Sequence, residues 1–93
     1  MECELMERIG LEVRHLRHIK LDNMEQIKNF NAAVLKYTYD IDIVYSRYVV
    51  NAKSLLALFS LDLPGVVIMV IYEYGNREEV TELLEALKDF IID

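Results

Sequence analysis

Ninety-three residues make one domain with room for a single core. Of these, 54% are hydrophobic and 28% charged, so either the core is dense or some apolar surface is left for a partner. The net charge of −6, from 10 Lys and Arg against 16 Asp and Glu, repels phosphate backbones and anionic lipid and so argues against nucleic acid and membrane as partners.

The opening "MECELMERIG" carries three glutamates and no long apolar run, so it is not a signal peptide. Residues 1–12 read as an N-terminal extension and residues 13–93 as the domain. The single cysteine, Cys3, cannot form an internal disulfide, which fits a reducing, cytoplasmic setting. Residues 13–21, "VRHLRHIKL", predict a strand with Ile19 and Leu21 on one face. His15 and His18 are three apart, so a strand turns them to opposite sides and they cannot share one metal or one phosphate.

"DN" then introduces "MEQIKNFNAAVLKY", in which Ile27, Phe30, Val34 and Tyr37 recur at helical spacing. Asp22 or Asn23 can cap that helix, because a short side-chain oxygen accepts a bond from an orphan N–H, and Glu25 or Gln26 can supply the return bond. In "DIDIVY", Ile41, Ile43 and Tyr45 point one way, with Asp40 and Asp42 the other. Ser46-Arg47 and "YVVN" complete a hairpin. Asp40 and Asp42 lack a third ligand or a neighbouring base, so they read as a solvated hairpin face.

Residues 53–60 predict a short apolar helix, and Pro64-Gly65 a turn. Residues 66–74, "VVIMVIYEY", predict a central strand. "LLALFSL" and "VVIMVIY" are each far shorter than the ~20 apolar residues that span a membrane. Asn76 with Glu79 marks a second helix start, and Val80, Leu83, Leu84, Leu87 and Ile91 form one stripe over a helix spanning 77–91. The three glycines, Gly10, Gly65 and Gly75, are scattered and make no phosphate loop. No catalytic constellation, metal set or cofactor motif emerges, so the chain is not expected to be an enzyme.

The element order is β-α-β-β-α-β-α, an α+β arrangement of an antiparallel sheet with helices on one face. Two architectures share it: the ferredoxin-like split βαβ of small-ligand sensors, and an open-faced sandwich. The stretch "DIDIVYSRYVVNAKSLLALFSLDL" resembles the middle of HPr, the histidine phosphocarrier protein of the bacterial phosphoenolpyruvate-dependent sugar phosphotransferase system. The family pattern N-x-K-S-[IL]-[LM]-G-[VL]-[MF]-S-L meets Asn51, Lys53, Ser54, Leu55, Leu56, Leu58, Phe59, Ser60 and Leu61, with Ala57 in the place of the glycine. The resemblance implies an HPr-like open-faced β-sandwich, a four-stranded antiparallel sheet covered by three helices.

It also implies roles for particular residues. The family's regulatory serine falls on Ser54, where a phosphate would add nearly two negative charges at a helix start. The same hydroxyl could simply cap the helix. Counted back without gaps, the phosphoacceptor histidine falls on Asn23 and its companion arginine on Glu25. Asn23 has no nucleophilic nitrogen, and Asp22 and Glu25 put negative charge where a phosphate would bind. The expected function is therefore a regulatory or protein-binding module without histidine phosphotransfer. The partner surface would be the helix 53–60, through Lys53, Leu55, Leu56, Leu58 and Phe59, whose apolar side chains spread around more than one face. An exposed remainder predicts a protein partner or a homo-oligomer. Two alternatives are a phosphotransferase component regulated at Ser54 and a ferredoxin-like small-ligand sensor.

Overall fold

A computed structural model describes residues 12–61, 65–74 and 78–92. Residues 1–11 with Cys3 and Gly10, the Pro64 half of the turn, and the Asn76 cap lie outside the described residues. The elements are β1 (Glu12–Leu21), α1 (Met24–Val34), β2 (Asp40–Tyr45), β3 (Tyr48–Asn51), α2 (Leu55–Phe59), β4 (Gly65–Tyr74) and α3 (Glu78–Ala86). This is the order expected from the sequence.

The strands form one four-stranded sheet in the order β1-β4-β2-β3, every neighbour antiparallel. β4 is central, as its β-branched run requires. β1 stands at an edge, which removes the ferredoxin-like alternative, because that fold needs its first strand inside the sheet.

Alternation sorts the strand residues into two faces. Ile19, Leu21, Ile41, Ile43, Val67, Met69 and Ile71 point inward and are buried. They meet Ile27, Phe30 and Val34 of α1, Leu58 of α2, and Val80, Leu83 and Leu87 in and after α3. Phe30 and Phe90 add an edge-to-face contact, with ring centroids 5.8 Å apart. The opposite face of the sheet is open. Its rows, read across strands, are Arg14–Tyr72–Asp40, Leu16–Val70–Asp42 and His18–Ile68–Val44, with Lys20 beside Val66 and Val44 beside Val49.

Element ends depart from the sequence expectation. α1 stops at Val34, and Lys36 and Tyr37 donate instead to the carbonyls three residues back, tightening the last turn. The final helix, expected to reach residue 91, ends at Ala86. Beyond it, Lys20 N–H donates to the Phe90 carbonyl and Ile92 N–H to the His18 carbonyl, both at 2.9 Å, and Ile91 bridges Ile19. The outer edge of β1 offers these polar groups, and pairing them competes successfully with another helical turn. In the β2–β3 hairpin, Ser46 has φ 57°, the left-handed conformation that a two-residue loop demands.

Candidate functional site

The start of α1 is a closed hydrogen-bonding unit. The Asn23 backbone is extended, and its side-chain oxygen accepts from Gln26 N–H at 2.9 Å. Gln26 returns the favour one residue earlier, its Oε1 accepting from Asp22 N–H at 2.6 Å. Of the caps open in the sequence, Asn23 and Gln26 are therefore the pair used. Glu25 lies exposed in the first turn, where its charge already complements the positive helix end. Lys20 Nζ stands 3.8 Å from Asp22 Oδ1, so the charges around this helix start are two exposed carboxylates and one lysine.

Ser54 caps α2, its hydroxyl oxygen accepting from Ala57 N–H at 3.3 Å. The loop before it is anchored twice, once to α1 and once to the turn that follows it. Asn31 Nδ2, buried, donates to the Ala52 carbonyl at 3.2 Å, and Lys53 Nζ donates to the Tyr37 carbonyl at 2.6 Å. These bonds hold the α2 start against the far end of α1.

The five residues expected to form a partner surface divide. Leu56 is 83% exposed, and Met24 at the start of α1 is 62% exposed. Leu55 and Phe59 are half-buried and pack on the core, and Lys53 is half-buried. Leu58 corrects the expectation: it is fully buried among core residues and offers nothing to a partner. Two residues away on a helix is about 200° around, so Leu58 turns inward when Leu56 turns outward. Beside α2, Tyr45, Tyr48, Val50, Ser60 and Leu61 line a cleft of about 290 Å³.

The two histidines lie on opposite faces of β1, as their spacing requires. His15 faces inward, its Nε2 2.8 Å from Oε1 of Glu73, a carboxylate only 2% exposed. His18 lies on the open face, in the row of Ile68 and Val44. The His15–Glu73 pair was missed by the sequence reading. Its signal was there: Glu73 continues the inward series of Met69 and Ile71, a place where a charge needs a partner. Nearby, Tyr39 is buried, and the backbone amides of Glu79 and Val80 bond its hydroxyl. Burial, with the Glu79 carboxylate behind it, raises the Tyr39 hydroxyl above the usual phenol range. Among the described residues, no three His, Cys, Asp or Glu side chains converge as a metal site. No described helix is long and apolar enough to cross a membrane.

No family model and no curated protein matches the chain. Solved structures do. The structure of HPr-C-His from Thermoanaerobacter tengcongensis is 27% identical, with a TM-score of 0.62 over 83% of this chain and 88% of that one. The phosphocarrier protein HPr from Bacillus anthracis str. Ames is also 27% identical, with a TM-score of 0.60 over 87% of this chain and 98% of that one. The strand order, with β1 at an edge, and these likenesses agree: the fold of the chain is HPr-like.

Proposed function

We propose that this HPr-like chain is a cytoplasmic regulatory or protein-binding module that transfers no phosphoryl group through histidine and is not an enzyme. The observation that carries the reading is Asn23. It occupies the α1 start with its amide oxygen committed to Gln26 N–H, between the carboxylates of Asp22 and Glu25. A phosphoryl group carried on nitrogen needs a nucleophilic nitrogen there, and Asn23, an amide, supplies none. The protein partner docks on exposed Leu56 and Met24, and the cleft by Tyr45, Tyr48 and Leu61 admits an apolar side chain.

The test is incubation with phosphoenolpyruvate and the upstream phosphotransferase of a bacterial sugar system. No label on either histidine is expected; label on His15 or His18 overturns the reading. A second reading, a phosphotransferase component regulated at Ser54, is favoured by the long 3.3 Å cap bond, which leaves the half-buried hydroxyl loosely held. ATP with the serine kinase of such a system decides it, by the presence or absence of phosphate on Ser54.

A further inference from the structure

The helices cover one face of the sheet only, and the other is apolar at its centre. Leu16 is 53% exposed, Val49 61% and Val66 46%, with half-buried Ile68 and Val44 between them and Val70, at 7%, already covered by its neighbours. Its charges are not scattered. Arg14, His18 and Lys20 run along β1, and Asp40 and Asp42 run along β2, two strands away across β4. A chain whose net charge is −6 thus presents one face on which basic and acidic flanks balance.

We propose that this open face is a self-association surface on which a second copy packs sheet to sheet. A two-fold axis running along β4 exchanges β1 with β2, so β1 of each copy lies over β2 of the other, with Leu16 opposite Asp42 and His18 opposite Val44. That operation keeps each row at its own level. Arg14 and Asp40 share a row, both paired with Tyr72, so Arg14 of one copy meets Asp40 of its partner, twice per dimer. Stacked sheets lie about 10 Å apart; the Arg14 guanidinium, 5.5 Å from the centroid of its own Tyr72 ring, turns from that ring to reach Asp40 of the partner. Edge-to-edge pairing through β1 is closed off by Phe90 and Ile92, and the other edge, β3, is only four residues long, so the face offers the larger surface for two sheets to meet. The four strands cover roughly 500 Å² in projection at ~3.3 Å per residue and ~4.8 Å per strand, below the ~800 Å² per partner of a standard interface. The dimer is accordingly weak and concentration-dependent.

Sedimentation equilibrium of the full chain from micromolar to millimolar concentration tests this, with circular dichroism confirming that each variant is folded. Wild type is expected to pass from monomer to dimer over that range. Arg14→Asp alone and Asp40→Arg alone each set like charges opposite one another and weaken the dimer by about tenfold or more. An equimolar mixture of the two restores it, because both cross-pairs are then attractive. Leu56→Lys leaves the dimer unchanged. A chain that stays monomeric at millimolar concentration overturns the proposal, whether residues 1–11 or a different protein covers the face. So does a mixture no more dimeric than its components, or a dimer abolished by Leu56→Lys, which would place association on α2.

Discussion

Leu56 and Leu58 stand two positions apart and answer to different forces. Leu58 is wholly enclosed by the core, whereas Leu56 is 83% exposed. Leu58→Ala is expected to lower stability by about 2–5 kcal/mol, the cost of a lost leucine plus the cavity it leaves. Leu58→Lys, which would bury a charge without a partner, is expected to unfold the domain. Leu56→Lys is expected to change stability by no more than about 0.5 kcal/mol and to abolish capture of the partner. Urea midpoints for the three variants separate these outcomes, and equal losses at both positions would refute the assignment. The sequence could not make this distinction, because periodicity needs several turns and α2 has five residues. It could place the caps. Asn23 and Ser54 both lie where a short oxygen-bearing side chain precedes an apolar run, and both cap.

At the scale of elements, the long and strongly patterned segments were legible and their ends were not. α1 follows from period, since one side of it is apolar, and β4 from its β-branched run, apolar on both sides. The end of α3 does not, because Leu87 and Ile91 suit a helical stripe and a core-facing turn equally well. What decides is the outer edge of β1, far away in sequence. For the His15–Glu73 contact, the inward place of Glu73 was legible and its partner was not, because the contact joins β1 to β4. The α3 start also depends on a distant residue, since its first amides bond the Tyr39 hydroxyl. Burial raises that hydroxyl above its usual 10.0, and Tyr37 shifts the same way, by burial and then by Glu82. The unfolded chain therefore releases these protons first as pH rises. The stability they confer is intact below pH 10 and lost as pH climbs through the folded values. Urea midpoints measured across this alkaline range are expected to fall, and Tyr39→Phe to make the fall shallower. An unchanged slope in the variant would count against a buried, neutral Tyr39.

For the molecule as a whole, charge decides which partners are repelled. With −6 overall, the chain is expected to flow through a heparin column and to leave anionic vesicles unbound at physiological salt. Retention on heparin that fades with added salt would reveal a basic region strong enough to override the total. The flank of Arg14, His18 and Lys20 is the nearest thing to one, and Asp40 and Asp42 lie on the same face.

The bonds from Lys20 to Phe90 and from Ile92 to His18 set an order of assembly. β1 leaves a ribosome well before residues 90–92, and its outer rim gains these mates only when they emerge. Until then a growing chain carries a raw strand rim next to an apolar sheet surface. Its hazard of clinging to a neighbour belongs to synthesis, and the arrival of residues 90–92 ends it.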